Sequence, residues 1–343
     1  MNDASNPDPG GSAPLGTPPG AMTFGQILDR TYKLGRANFK LFLSIAAVPS
    51  TAILLLFAAI FGCMVSIAGP QIGAAQAGRA PFATASVFPA YLIGLIMLVA
   101  YPILFAVFAL YMPAASYAAT QTDQGAKVTF GDAYDVAWRN FWRYLWLMIL
   151  PALYVIVPLV LIGAAITVGA LLLHNSVDFG SNPAAMFFLI PLIVLLYLGV
   201  LVYCIWIVLR FALAFPASVV EGLTAWAALK RSTQLTKGAR GRIFLVLLVV
   251  YAIIYAVNLV LMAIFMVVAA VGAGVALLAH VAQGSPAFFI LIGLAALAYL
   301  LVLVACTLFS YVAYTTSLAV LYHDQRLRKD GVLPATPQLG EAV

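Results

Sequence analysis

Five cationic side chains lie within the short stretch KRSTQLTKGARGR at 230–242, although charged residues make up only 8% of the chain. Guanidinium and ammonium groups donate charge-assisted hydrogen bonds to phosphate oxygens, so this stretch offers the chemistry of phosphate binding. Gly238 and Gly241 would let backbone N–H groups approach a phosphate, but they equally suit a break between two helices. The candidate contact residues are Lys230, Arg231, Lys237, Arg240 and Arg242.

Residue spacings elsewhere do not match a catalytic or metal site. The three histidines are far apart, and the sequence contains no HExxH, GxSxG or Walker motif. The cysteines lie in apolar runs at unrelated spacings, which is typical of packing residues: Cys63, Cys204 and Cys306. The sequence therefore predicts a non-catalytic protein without a metal or a cofactor.

The composition is that of an integral membrane protein. Hydrophobic residues make up 64% of the 343 residues, and the mean hydropathy is +1.07. Long uncharged runs without alternating polarity favour an all-α multi-pass architecture over a β-barrel. Six spans are predicted, at about 41–68, 88–118, 144–173, 185–217, 243–279 and 286–322.

The distribution of Lys and Arg predicts the orientation of these spans. One side of the six-span arrangement carries nearly all of the cations, whereas the opposite loops carry Arg79 alone. Short cytoplasmic loops retain such an excess, so both termini are predicted to be cytoplasmic. The net charge of +6 thus indicates topology rather than nucleic-acid binding. Tails at 1–22 and 332–343 are predicted to be flexible.

Two interpretations of the cationic stretch stay open. The cations could fix the topology and attract anionic lipid nonspecifically, or they could form a defined site for a phosphate-bearing lipid or a protein partner. Two further charges lie near the end of the fourth span, Arg210 and Glu221. A direct pair would require the chain to fold back at Pro216, and otherwise Arg210 would extend to the head groups. His323 and Asp324 are predicted to end the sixth span in the head-group layer.

An internal repeat precedes the first and third spans. TFGQILDRTYKLGRANF begins at Thr23 and TFGDAYDVAWRNF at Thr129, and each has the spacing of a capping box at its start. A more diverged copy, LTAWAALKRSTQLTKGARGRIF, occupies 223–244 with incomplete capping at Thr224. We therefore predict three units, each an interfacial amphipathic helix followed by a transmembrane hairpin, at about 23–120, 129–217 and 223–322.

Three segments resemble a known family when they are taken in order. FGQILDRTYKLGRANFKLFLSIAAVP, FPASVVEGLTAWAALKRSTQLTKGARGRIF and LYHDQRLRKDG are similar to segments of the bacterial glycerophosphoryl diester phosphodiesterase membrane domain family, which is related to YciC-like membrane proteins. The resemblance covers about 23–331 and implies the fold and a location in the bacterial inner membrane. It does not imply hydrolysis, because the chain has no segment long enough for a catalytic barrel.

These observations favour a scaffold or accessory factor that contacts anionic membrane lipid through basic interfacial helices. A lipid or small-molecule transporter is the alternative, because the fifth and sixth spans carry polar residues such as Asn258, Ser310 and Thr307. Those residues could line a polar path, but small polar side chains also serve routinely in helix packing within lipid.

Overall fold

A computed structural model describes residues 22–76, 88–174, 183–278 and 285–331. These residues form helices and turns without a strand, which confirms the all-α class. The predicted tails, apart from Met22, lie outside the described residues, as do Arg79 and His280. In chain order the helices are α1 (Phe24–Ala37), α2 (Phe39–Gln76), α3 (Phe88–Asp123), α4 (Phe130–Arg139), α5 (Phe141–His174), α6 (Pro183–Phe211), α7 (Ala214–Glu221), α8 (Ala225–Thr236), α9 (Arg240–Leu278) and α10 (Pro286–Asp330).

Six of the described helical stretches are long and apolar enough to cross a membrane, so the multi-pass architecture is confirmed. Two predicted spans differ from the structure in detail. The fourth, which extends to Glu221, is not one continuous helix: α6 ends at Phe211 and is followed by a turn and by α7, because Pro216 cannot donate to the carbonyl of Ala212 and its ring would clash there. The sixth continues well beyond position 322, to Asp330.

The short helices begin as the sequence predicts. Thr23 and Gln26 form a complete capping box at α1, in which the Thr23 backbone N–H donates to the Gln26 side chain at 2.7 Å. Thr129 and Asp132 do the same at α4, where the Thr129 N–H donates to Asp132 Oδ2 at 2.9 Å. Hydrogen bonds from Thr129 lower the pKa of the Asp132 carboxyl. At α8 the Thr224 side chain makes no capping bond, as predicted.

The centres of the apolar faces of the short helices are covered by protein. Ile27 and Leu34 of α1 are fully buried, and Ala133 and Ala137 of α4 are fully buried as well. Helix α8 buries a larger set, namely Ala228, Leu229, Ser232, Leu235 and Thr236. Packing against neighbouring helices therefore accounts for the centre of each apolar face. The lipid contact of these helices and the internal repeat stay predictions.

The contacts divide the chain into two compact units. Unit 1 comprises Met1–Arg139 and Val246–Val320. Within it, Arg30 of α1 donates to the Asp123 carboxylate of α3 at 2.6 Å, and both side chains are nearly enclosed. The hydroxyl of Tyr134 donates to the carbonyl oxygen of Ile45 at 3.0 Å, which ties α4 to α2. These bonds hold the short helices of unit 1 against its long ones.

Unit 2 comprises Asn140–Leu245 and Leu321–Val343, and it contains the cationic stretch. Its apolar core joins α5, α7 and α8, with Tyr144 and Leu147 packed against Ala214, Ala228 and Leu229. Alanine at two of these positions, Ala214 and Ala228, lets the helix backbones approach closely. The core fixes α8 beside α5 and α7, and so it determines where the cations of α8 point.

Candidate functional site

The cationic stretch of unit 2 is distributed over two helices. Lys230 and Arg231 lie on α8, Lys237 follows its last residue, and Arg240 and Arg242 begin α9. The five cations differ in whether a carboxylate lies within ion-pairing distance of them. Arg231 and Arg242 are engaged with carboxylates, whereas Lys230, Lys237 and Arg240 have no carboxylate within ion-pairing distance among the described residues.

Arg231 belongs to an ion-pair network around Glu221. Its Nε lies 3.0 Å from Glu221 Oε2, and its Nη2 contacts the carboxylate of Asp330. The Tyr322 hydroxyl donates to Glu221 Oε1 at 2.9 Å. Partial burial alone would lower the pKa of Arg231, but its bonds to Asp330 and Glu221 outweigh that effect and raise it. Arg231 and Glu221 therefore have a structural role.

A second part of the network surrounds Asp324, which is completely buried. The Nη2 of Arg242 lies 3.3 Å from Asp324 Oδ2, and the Nε of Arg328 lies 3.1 Å from the same oxygen. The prediction that the sixth span ends at His323 and Asp324 is wrong, whereas their place in the head-group layer stays a prediction. Helix α10 continues past both, and both are buried in protein, because the arginines supply the counter-charges that Asp324 requires.

Sequence reasoning singled out Glu221 but missed the roles of Asp324 and Asp330 in this network. Asp324 with Arg328, and Arg326 with Asp330, have the i, i+4 spacing of paired charges on a helix face. That spacing favours continuation of the helix beyond Tyr322. The partners on α8 and α9 lie too far away along the chain for any local pattern to indicate them.

Arg210 and Glu221 do not pair with each other. The Arg210 Nε donates to Thr233 Oγ1 of α8 at 3.3 Å, and its guanidinium lies over the rings of Trp206, at 5.2 Å, and Phe211, at 5.4 Å. The Ser232 hydroxyl donates to the Arg210 carbonyl at 2.9 Å. The chain folds back after α6, so α8 returns beside Arg210 while Glu221 meets Arg231 instead.

Arg210 lines a cavity of about 420 Å³. Lys230 lines the same cavity, which places two cations on one concave surface. Within the part of unit 2 that the structure describes, no carboxylate lies within ion-pairing distance of either side chain. The remaining walls are aromatic, apolar or neutral polar, and they include Tyr154, Phe211, Trp226, Thr233 and Gln234. We call this the cationic cavity.

Of the two glycines in the cationic stretch, Gly238 lies in the turn between α8 and α9. Gly238 has a φ of 81°, in the left-handed region that favours glycine, whereas Gly241 lies inside α9. Lys237 is extended, so this turn does not have the paired right- and left-handed backbone of an anion nest. Gly238 therefore serves to separate the two helices. Next to the turn, the Arg240 guanidinium lies 5.5 Å from the centre of the Trp206 ring.

Polar residues of the fifth and sixth spans contact one another or their own helices in unit 1. The Asn258 Nδ2 donates to Ser310 Oγ at 3.2 Å, and that hydroxyl donates to the Cys306 carbonyl at 2.7 Å. The Thr307 hydroxyl lies 3.3 Å from that of Ser50. These contacts fit helix packing, although the Oδ1 of Asn258 is buried and has no hydrogen-bond partner among the described residues.

Comparison of the chain with protein-family models, with curated proteins and with solved structures gives no match. Among the described residues no group of three His, Cys, Asp or Glu side chains could hold a metal ion. The cationic cavity is therefore the candidate site, on the strength of its own geometry.

Proposed function

We propose that this protein is a non-catalytic scaffold or accessory factor of the bacterial inner membrane that binds anionic lipid at its cytoplasmic face. The observation that carries the proposal is the cationic cavity, where Arg210 and Lys230 share one concave surface without a carboxylate within ion-pairing distance among the described residues. The resemblance of its segments to a family of bacterial membrane domains supports the location.

The contrast with the neighbouring arginines supports this interpretation. Arg231 and Arg242 are neutralised by carboxylates of the same unit, whereas Arg210 meets a hydroxyl and two aromatic rings. A cation near hydrocarbon is costly unless an anion or water compensates it. Anionic head groups supply that compensation, at about 1 kcal/mol for each cation near the surface.

The aromatic residues around the cavity fit a position at the membrane boundary. Trp226 is 61% exposed and Tyr154 is 39% exposed, and both line the cationic cavity. Trp and Tyr are enriched where hydrocarbon meets head groups, because their rings are apolar and their polar atoms reach water. The cations would then lie at the depth of lipid phosphates.

The proposal is tested by native mass spectrometry of the full-length protein extracted with its lipids. We expect the wild type to retain phosphatidylglycerol in preference to phosphatidylethanolamine, and the double variant Arg210→Gln with Lys230→Gln to lose that preference. Arg36→Gln with Lys40→Gln removes the same kinds of charge from exposed positions of α1 and α2 and should leave it unchanged. Equal retention of both lipids by the wild type would refute anionic-lipid binding.

Transport is the second candidate function, and it rests on Asn258. Its Oδ1 is buried without a hydrogen-bond partner among the described residues, and polar groups of this kind in a span can mark a pathway. Proteoliposome flux assays of the wild type and Asn258→Leu test this alternative. A carrier would lose flux in the variant, whereas a scaffold would show no protein-dependent flux in either.

A further inference from the structure

We propose that the cationic cavity and an apolar groove beside it hold one molecule of anionic glycerophospholipid, with its phosphate at Arg210 and Lys230 and an acyl chain in the groove. This inference rests on the proposed binding of anionic lipid and specifies its ligand. The groove has a volume of about 470 Å³ and lies between α5 and α6. Its walls are apolar, and they include Pro158, Leu159, Ile162, Leu195, Gly199 and Tyr203.

A tyrosine pair joins the two cavities. Tyr154 of α5 lines the cationic cavity, and Tyr203 of α6 lines the groove. The Tyr203 hydroxyl donates to the Tyr154 carbonyl at 2.7 Å, so the two cavities are neighbours along the same helix pair. Seven residues of α6 separate Arg210 from Tyr203, an axial distance of about 10 Å. A ligand that fills both cavities must therefore be polar at one end and apolar at the other.

The polar end selects a phosphate. Arg210 uses its Nε for Thr233, which leaves its two terminal nitrogens for a ligand, and these can donate to two phosphate oxygens. Lys230 adds a second charge from α8 as a compact donor group. Gln234 and Thr233 line the same cavity and can bond the uncharged atoms of a head group.

The apolar end favours a lipid over a soluble phosphate. From Tyr203 to Leu192 the groove follows α6 for about 16 Å, a length that suits an extended acyl chain and not a small anion. Lipid tails are as apolar as the groove, so the chain gains dispersion contacts and a fixed position rather than hydrophobic free energy. The head group therefore sets the preference for charge, and the groove slows exchange with bulk lipid.

Gly199 provides the means to test the groove separately from the head-group site. A Cβ atom at Gly199 would meet no atom within 4 Å, so Gly199→Leu can place its side chain in the groove without a backbone clash. Leucine also favours the helix over glycine. Gly163 of α5 has the same open surroundings but does not line the groove, so Gly163→Leu is the matched control.

The experiment measures retention of phosphatidylglycerol by the full-length protein in native mass spectrometry during delipidation with detergent, with thermal unfolding as the check on folding. We expect Gly199→Leu to weaken retention about 3- to 10-fold and Gly163→Leu to leave it unchanged. Leu195→Phe narrows the same groove and repeats the test should Gly199→Leu fail to fold. Excess inorganic phosphate should not displace the lipid.

The outcomes separate this inference from the proposed function. Unchanged retention in both groove variants, with loss in the double variant Arg210→Gln with Lys230→Gln, would overturn the acyl-chain site and leave anionic-lipid binding intact. Unchanged retention in that double variant as well would overturn both. Full displacement by inorganic phosphate would assign the cationic cavity to a soluble anion and would also overturn the inference.

Discussion

Asp324 is the most deeply enclosed carboxylate of the ion-pair network, with no exposed side-chain surface. It accepts hydrogen bonds from Arg328 at 3.1 Å and from the Gln325 amide at 3.2 Å, and Arg242 approaches it at 3.3 Å. A carboxylate in such surroundings stabilises the fold only while its partners remain charged and in place. Conversely, removing its charge leaves two partly buried guanidinium groups without compensation.

We expect Asp324→Asn to lower the free energy of unfolding by about 2–3 kcal/mol, since it leaves those arginines unneutralised at nearly constant side-chain volume. Thermal unfolding in detergent, followed by tryptophan fluorescence, measures the effect. Asp29→Asn is the control, because Asp29 pairs with Lys33 on the helix surface with both side chains 58% exposed. An exposed pair of this kind contributes less than about 1 kcal/mol. Equal destabilisation by the two variants would contradict the assignment.

At the scale of the elements, Pro216 follows the end of α6 and Gly238 follows the end of α8, the helix that passes Arg210. Pro216 prevents α6 from continuing, and Gly238 turns the chain from α8 into α9 with a φ of 81°. Between them, α8 carries Lys230 and Arg231 on different sides, one toward the cationic cavity and the other toward Glu221. Adjacent residues of a helix point about 100° apart, and this angle separates the cation of the proposed lipid site from the structural one.

We expect Gly238→Ala to destabilise the protein by about 1 kcal/mol, because alanine is strained in the left-handed region even where its Cβ meets no atom. Gly241→Ala, three residues later and inside α9, is the control and should be neutral or mildly stabilising. Thermal unfolding of the two variants compares them directly. A larger loss in Gly241→Ala would show that close packing, and not backbone conformation, explains the glycines.

The sequence predicts a helix boundary well where side chains within one helical turn determine it. Thr23 with Gln26 and Thr129 with Asp132 are capping pairs within one turn, so the first residues of α1 and α4 can be read directly. The end of α10 could not be read in this way. Its charges indicate an exposed boundary, and Asp324 is buried because Arg242 of α9, far away along the chain, joins Arg328 of α10 in neutralising it.

At the scale of the whole molecule, the sequence predicts a membrane protein and its six spans from composition alone, and the six long apolar helices confirm them. It could not resolve the candidate site, because the five cations form one cluster along the chain. Tertiary packing assigns Arg231 and Arg242 to the ion-pair network and leaves Lys230 to the cationic cavity. It also brings Arg210 to that cavity from twenty residues earlier on another helix, a pairing that no spacing rule indicates.

Orientation in the bilayer can be measured with single cysteines in a chain whose three native cysteines are replaced by alanine. We expect Ser285→Cys, in the loop before α10, to react with a membrane-impermeant maleimide in intact cells. Lys237→Cys, in the turn between α8 and α9, should react only after the membrane is opened, because its neighbouring cations predict a cytoplasmic position for that turn. Labelling of Lys237→Cys in intact cells would reverse the predicted topology.

The last turns of α10 have a consequence for biosynthesis. Arg231 precedes its partner Asp330 by 99 residues, which the ribosome adds in about 5 to 20 s. For most of that interval Arg242 has been synthesised without Asp324, and Arg231 can bind Glu221 alone. Closure of the network is therefore a late event in the synthesis of each chain, and a chain interrupted before Asp324 lacks the carboxylate that neutralises Arg242.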